Sequence, residues 1–267
     1  MGDYVLGTDD AELARLAFQH EVWRATTERL IDALRLAPGA RVADLGTGPG
    51  LALAGLRARV GPAGTLLAVD ESERWGGVVR ARAAAQGWGN VAFRRARLEE
   101  LELEPGAWSG LFLRWVLSFL PDPGAVLARL APALGRGGRI AILDYNHEGL
   151  SLFPQSEGFR AVVRATRALY ASRGGDVWIA GRLPGLLRAA GLEPEPPCVD
   201  VLCGGPDSPA FRWADAFFPH HSAGMQAAGL LTELERERFL AEWAERRADP
   251  DALFFSPLQV SIVARRP

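Results

Sequence analysis

The fold of this chain is decided by Arg41-Val42-Ala43-Asp44-Leu45-Gly46-Thr47-Gly48-Pro49-Gly50. The first five residues predict a short buried strand, and the glycines that follow predict a tight turn leading into a helix over 51–60. Because glycine has no Cβ atom, a ligand can lie directly against the backbone of such a turn. This segment therefore predicts a small-molecule site where the first strand ends.

Strand and helix patterns alternate on the carboxyl side of the glycine turn. The predicted strands cover 65–69, 91–93, 110–113 and 139–143, with helices over 72–86 and 123–134 between them. This alternation is typical of a parallel sheet with helices on both faces, which binds ligands beyond the carboxyl ends of its strands. Asp70 ends the second strand, 20 residues after Gly50, where a carboxylate can accept hydrogen bonds from ribose hydroxyls.

The flanking regions show a different organisation. Residues 9–36 are predicted to be helical, with Asp9 or Asp10 as the cap, and further helices are predicted over 158–172, 184–190, 209–231 and 233–247. A strand is expected over 199–202, and a final strand over 258–263. We therefore predict a helical lid over 1–37, a core over 38–150, a cap over 151–256 and a last core strand over 257–267.

The composition excludes several functions. The chain has 267 residues and a formal net charge of -2, which argues against a nucleic-acid partner held by phosphate contacts. All 30 basic residues are arginine, so neither a Schiff-base lysine nor a P-loop lysine is available. No segment suggests a signal peptide or a membrane span. These features lead us to expect a cytoplasmic protein without a membrane partner.

These motifs resemble the class I S-adenosylmethionine-dependent methyltransferases, of the bacterial small-molecule type. The resemblance extends over about residues 4–147 and is carried by the segments 42–50, 113–123 and 134–140 together with Asp70. It implies a Rossmann-like, seven-stranded, mostly parallel sheet in an α/β fold. It also implies S-adenosyl-L-methionine as cofactor, a small-molecule acceptor and in-line methyl transfer. A homodimer is a further expectation.

The resemblance also implies a set of site residues. Asp44 would stand near the amino group of the cofactor, and Asp70 with Glu71 would hold its ribose. Arg114 would lie near the methionine end. The full set of cofactor-binding candidates is Asp44, Gly46, Thr47, Gly48, Asp70, Glu71, Arg97, Leu98 and Arg114. The candidates for contact with the acceptor are Tyr4, Gln19, Trp115 and Tyr145, with Tyr4 and Gln19 in the lid.

Arg97 departs from the family pattern. The family usually has an acidic residue at this position, which accepts a bond from the adenine amino group, and arginine cannot accept one. Arg97 could stack on the adenine, or the backbone of Leu98 could replace the missing contact. This departure leaves open an alternative function, a protein that binds S-adenosylmethionine without transferring its methyl group.

Histidines are the remaining candidates for chemistry. His147 lies just past the fifth strand, where substrates are expected, and imidazole can act as a base near neutral pH. The alternative is a loop histidine bonded to Glu148 and solvent. His220 and His221 with the two cysteines, Cys198 and Cys203, match no standard zinc spacing, so no metal is predicted. The dinucleotide fingerprint GxGxxG also fails, since its third glycine would fall at Leu51, so a nicotinamide-dependent dehydrogenase is disfavoured.

Overall fold

The computed structural model describes residues 8–267. The strands are β1 (Arg41–Leu45), β2 (Thr65–Asp70), β3 (Val91–Arg95), β4 (Trp108–Arg114), β5 (Leu134–Asn146), β6 (Ser151–Phe153), β7 (Glu193–Pro194), β8 (Cys198–Asp200), β9 (Cys203–Gly204), β10 (Leu253–Phe255) and β11 (Leu258–Arg265). The α-helices are α1 (Asp10–Val22), α2 (Arg24–Ala33), α3 (Leu53–Val60), α4 (Glu73–Ala85), α5 (Pro123–Leu130), α6 (Glu157–Ala171), α7 (Leu183–Ala189), α8 (Pro209–Ala227) and α9 (Glu233–Ala248). Short 3-10 turns occur at Leu117–Phe119, Ala131–Ala133 and Ile179–Gly181.

The main sheet follows the order β3-β2-β1-β4-β5-β11-β7, with β8 also paired to β11. The strands from β1 to β5 are parallel to their neighbours, whereas β11 runs antiparallel to β5. The prediction of a mostly parallel α/β sheet is confirmed. The sheet has eight strands rather than seven, because the short strands β7 and β8 both lie along β11.

The strand order places a ligand crevice at the ends of β1 and β4. The chain moves outward from β1 to β2 and β3, then returns to the other side of β1 with β4. Open α/β sheets bind ligands at this reversal, just beyond the carboxyl ends of the strands. The glycine turn follows β1 directly, so the topology brings it to this crevice.

Both faces of the sheet are covered by apolar side chains. Successive residues of a strand point to opposite faces, so Leu111 and Leu113 pack in one cluster and Phe112 in the other. The same alternation divides Ile142 from Leu143 in β5. Helices cover both clusters, which explains why the strands are apolar throughout.

The helical prediction over residues 9–36 is confirmed apart from one break and the last residues. Residues 9–36 form two helices, because the chain leaves helical geometry at Trp23, whose backbone has φ -105° and ψ 17°. The ring of Trp23 is buried and meets the ring of Trp213 edge to face at 6.3 Å. Asp9 is the cap of α1, where its side chain accepts a hydrogen bond from the Glu12 N–H.

The predicted boundaries around β5 also need correction. The expected helix over 123–134 ends at Leu130 in α5, and a 3-10 turn occupies the next three residues. The expected strand over 139–143 is the longer β5, which starts at Leu134 and runs to Asn146. It starts earlier because Leu134 pairs with Trp108 of β4, and it ends later because β11 pairs with it as far as Asn146.

A separate helical layer packs above the carboxyl edge of the sheet. It consists of α6, α8 and α9 with the small antiparallel sheet β6-β10-β9. Its core contains many aromatic rings, among them Phe159, Phe211, Trp243 and Phe254. The charged helix α9 is solvated on one face, while its Phe239 and Trp243 are buried. Within residues 8–267, no helix is both long and apolar enough to cross a membrane.

Candidate functional site

The glycine turn presents bare backbone to a cavity of about 600 Å³. Gly46 has φ +70°, and a Cβ atom there would lie 2.4 Å from Val116 Cγ2, so no larger residue fits without movement. Gly48 has φ +54° and faces open space. Gly46 thus lets Val116 pack against the turn, and Gly48 leaves room for a ligand to approach the backbone closely. The volume is in the range of small-molecule sites.

Two buried carboxyl groups flank the turn. Asp44 is 3% exposed and accepts a hydrogen bond from Thr47 Oγ1 at 2.6 Å. Asp70 is 4% exposed and accepts from the Gly48 N–H at 2.8 Å and the Ser72 N–H at 2.9 Å. Burial raises the pKa of each carboxyl to about 6. Neither forms an ion pair with a described residue, so both can receive a cation or hydroxyl donors from a ligand.

The wall after β3 contains a carboxylate that the sequence analysis missed. Arg97 lines the cavity, but its guanidinium is partly exposed and pairs with Glu99 Oε1 at 3.0 Å. Glu99 lines the same cavity, as does Leu98. Arg97 therefore brings no acceptor to this wall, whereas Glu99, two residues later, can accept a bond from an amino group. The only sequence signal for Glu99 was its place in an acidic run.

Arg114 is a cation without a carboxylate partner in the described chain. Its Nη1 lies 2.9 Å from His20 Nδ1 and 3.0 Å from Thr27 Oγ1, and the guanidinium sits 4.6 Å from the centre of the Trp115 ring. Burial lowers the pKa of Arg114 to about 10 and that of His20 to about 4, so the arginine stays charged and the histidine neutral. Such a site suits a ligand carboxylate.

Trp115 and Tyr145 form a rigid pair beside the cavity. Trp115 has φ +57°, which is rare for a large residue, and its Nε1–H donates to Gln259 Oε1 at 2.7 Å. Its ring stacks on Tyr145, with centroids 6.1 Å apart. Tyr145 Oη accepts a weak bond from Gln19 Nε2 at 3.4 Å. Strained backbone held by such contacts is often found at functional sites.

His147 is buried against the same pair. It is 6% exposed and meets the Tyr145 ring edge to face at 5.8 Å. Burial and the nearby Arg167 lower its pKa to about 3, so the imidazole is neutral at pH 7. Its Nδ1 is buried and has no hydrogen-bond partner within residues 8–267. It does not bond to Glu148, whose carboxylate instead accepts from Trp178 Nε1.

The structure brings nearly all the predicted site residues to one cavity. The predicted residues that line this cavity are Asp44, Gly46, Thr47, Gly48, Asp70, Glu71, Arg97, Leu98, Arg114, Gln19, Trp115, Tyr145 and His147. Tyr4 lies outside the described residues. His220 and His221 do not line this cavity. Sequence reasoning missed Thr166 and Tyr170, which line it from one face of α6 at helical spacing.

Comparison with known proteins identifies the segment that carries the glycine turn. The family described as "Methyltransferase domain" matches residues 42–138. Residues 42–138 therefore match a methyltransferase domain, and the resemblance noted in the sequence is confirmed. The matched segment runs from β1 into the first residues of β5.

Two curated relatives with named methyltransferase activities each match about half of this chain. A trans-aconitate 2-methyltransferase of Methylobacterium nodulans is 38% identical over 127 residues, covering 48% of this chain and 46% of its own. A nocamycin O-methyltransferase of Saccharothrix syringae is 32% identical over 122 residues, covering 46% and 44% respectively. The chain spans about half the length of the curated relatives it matches.

A solved structure extends the likeness beyond the domain. A geranyl diphosphate C-methyltransferase of Streptomyces coelicolor, crystallised with Mg²⁺, geranyl-S-thiolodiphosphate and S-adenosyl-L-homocysteine, superposes with a TM-score of 0.58. The superposition covers 91% of this chain and 76% of that one at 17% identity. At this identity the likeness shows the fold alone.

Proposed function

We propose that this protein transfers a methyl group from S-adenosyl-L-methionine to a small-molecule acceptor. The observation that carries the proposal is the pair of buried, unpaired carboxyl groups, Asp44 and Asp70, on either side of an open glycine turn. S-adenosylmethionine, when bound, supplies a methyl group on a positively charged sulfur. The methyltransferase domain match over residues 42–138 supports the same cofactor.

The residues present fit this cofactor at each of its polar parts. The Asp44 carboxylate suits the amino group, and the Asp70 carboxylate keeps lone pairs for ribose hydroxyls. The unpaired guanidinium of Arg114 suits the carboxylate. Glu99 can accept a bond from the adenine amino group in place of the acid that Arg97 replaces. The cavity therefore offers a negative charge for the amino group and a positive charge for the carboxylate of the amino-acid part of the cofactor.

The chain's contribution to the reaction is to position the reactants and exclude water. Methyl transfer from a sulfonium needs mainly an aligned nucleophile in a dry site. Trp115, Tyr145 and the aromatic side chains of α8 close the cavity on the cap side. We infer that residues 151–256 form the acceptor site, residues 1–37 the lid, and residues 38–150 with 257–267 the core.

Calorimetry and a transfer assay test the proposal. We expect S-adenosylmethionine and S-adenosylhomocysteine to bind, NADH not to bind, and methyl label to pass to an acceptor from a compound library. If S-adenosylmethionine fails to bind, the proposal is wrong. Tight binding without transfer to any acceptor would instead support the alternative of a binding protein. The presence of Glu99 beside Arg97 disfavours that alternative.

We also propose a cytoplasmic protein that acts on no nucleic acid and assembles as a homodimer. The near-neutral charge supports the absence of a nucleic-acid substrate, because a phosphate-binding surface needs excess positive charge. Light scattering of the purified protein tests the dimer: a monomer mass at micromolar concentration would contradict it. Methylation of bulk transfer RNA or ribosomal RNA would contradict the choice of a small-molecule acceptor.

A further inference from the structure

The cap side of the cavity is walled by aromatic rings. We call this the aromatic wall, and it consists of Phe119, Tyr170, Trp213, Phe217 and Phe218. Phe119 stacks on Tyr170 with centroids 4.7 Å apart, and Trp213 lies nearly parallel to Phe217 at 6.4 Å. Aromatic rings attract other flat rings by stacking and edge-to-face contact as well as by burial. The wall therefore favours a flat aromatic molecule.

The charges on this side are already neutralised. Glu12 accepts two hydrogen bonds from Arg15, at 2.7 and 2.6 Å, and both side chains are buried. The remaining Nη1 of Arg15 donates to Gln19 Oε1 at 2.8 Å. Among the described residues that line the cap side, Arg173 is the other charged group, and it is exposed. A charged acceptor would lose its hydration there without gaining a buried partner.

The same side has one unused donor and one unused acceptor. Tyr145 Oη accepts from Gln19, but its own proton is donated to no described residue. His147 also lines the cavity, its ring is neutral, and its Nδ1 has no hydrogen-bond partner among the described residues. The free proton of Tyr145 and the neutral imidazole beside it therefore favour a ligand with a hydrogen-bonding group. A hydroxyl group meets both needs, because it donates through its proton and accepts through its oxygen.

Building on the proposed methyl transfer, we propose that the acceptor is an uncharged, flat aromatic molecule that presents a hydroxyl group to Tyr145 and His147. The aromatic wall binds the ring, and the two polar side chains orient the hydroxyl. His147 acts here as a hydrogen-bond acceptor, since an imidazole this reluctant to take a proton is a weak base at neutral pH. The class excludes polycarboxylates, which the wall cannot neutralise.

Three probes with one ring system test this inference without requiring turnover. They are 2-naphthol, 2-methylnaphthalene and 2-naphthoate, and their binding is measured by equilibrium dialysis at pH 7.5 with the protein saturated with S-adenosylhomocysteine. We expect 2-naphthol to bind about tenfold more tightly than 2-naphthoate, because the carboxylate is desolvated without a partner. We expect it to bind about fivefold more tightly than 2-methylnaphthalene, because only the hydroxyl gains hydrogen bonds.

Variants then assign the contacts. His147→Leu should reduce the preference for 2-naphthol over 2-methylnaphthalene to about twofold, since Tyr145 still binds the hydroxyl, while leaving the binding of 2-methylnaphthalene within about twofold. Phe217→Leu should weaken both by about fivefold, since it removes part of the aromatic wall. Phe211→Leu is the matched control, because Phe211 is buried on the same helix and does not line the cavity. It should leave both within about twofold.

The outcomes separate this inference from the proposed function. If S-adenosylhomocysteine binds but 2-naphthoate or trans-aconitate binds as tightly as 2-naphthol, the inference is overturned and the proposed function stands. Saturation with S-adenosylhomocysteine and no measurable binding of any ring probe also overturns it. Failure to bind S-adenosylhomocysteine is a failure of the proposed function itself. The comparison of the three probes uses the unmodified protein and does not depend on any variant folding.

Discussion

Replacing Asp70 with asparagine tests the central contact of the site. A carboxylate offers about four acceptor positions, and in Asp70 two of them are taken by the Gly48 and Ser72 N–H groups. The other two remain for ribose hydroxyls. In Asp70→Asn the NH₂ group must face one of the two N–H donors or the ligand. The variant thus loses the negative charge and at least one hydrogen bond.

The expected effect follows from the cost of losing a charged hydrogen bond. Such bonds contribute about 1.5–3 kcal/mol, so the affinity for S-adenosylhomocysteine should fall by a factor between about 10 and 100. Calorimetry at pH 7.5 measures it. Glu71→Gln is the comparison variant, because Glu71 is the other carboxylate expected near the ribose, lines the same cavity and has an exposed side chain. We expect Glu71→Gln to change the affinity by less than about threefold.

The pH dependence sharpens the same test. The pKa values of Asp44 and Asp70 are both raised to about 6 by burial. At pH 5.5 about a quarter of each group is ionised, so the affinity should fall about fourfold per carboxyl and about 16-fold in all. Asp70→Asn should retain only the fourfold loss that Asp44 causes. If Asp70→Asn binds within twofold of the unmodified protein while Glu71→Gln loses tenfold, the ribose contact belongs to Glu71 and the assignment is refuted.

Three further substitutions test the scaffold of the site by urea unfolding. Trp115→Phe removes the donor to Gln259 Oε1 and should lower the free energy of unfolding by about 1–3 kcal/mol; no change would contradict a structural role for this bond. Arg15→Met leaves the buried Glu12 unpaired and should cost about 3–5 kcal/mol, most of which the added Glu12→Gln change should restore. Gly158→Ala places a Cβ atom 2.5 Å from the backbone of α9 and should cost at least about 1–3 kcal/mol; full stability would show that α6 and α9 can separate freely.

The features that sequence alone predicted are those encoded locally. The glycine turn, the strand before it and Asp70 at the end of β2 lie in short segments, and their spacing defines their geometry. The alternation of strands and helices was enough to predict a parallel sheet and its binding edge. The predicted cavity residues from Asp44 to His147 therefore converge, because each stands at the carboxyl end of a strand.

The features that sequence missed depend on contacts between distant segments. Strands β6, β9 and β10 have two or three residues each, too few for a periodic pattern, and they form only through pairing with one another. The edge-to-face contact of Trp23 with Trp213 joins the first helical region to α8, nearly 200 residues away in sequence. Glu99 can serve as the acceptor for the adenine amino group, and Arg97 forms an ion pair with it. A motif centred on Arg97 could not reveal this arrangement.

The buried charges of the site also explain how ligand binding and stability are coupled. The pKa of Asp44 and of Asp70 lies about two units above that of an exposed aspartate, so each ionised carboxyl costs the folded chain about 3 kcal/mol at pH 7.5. Between pH about 4 and about 6 the folded chain holds protons that the unfolded chain has released, so the contribution of these groups to stability falls as the pH rises through that window. A ligand ammonium beside Asp44 lowers its pKa and recovers part of this cost. Burial of Asp44 therefore destabilises the free protein but favours a ligand with a cationic amino group. In the same way, burial of Arg114 favours a ligand that carries a carboxylate.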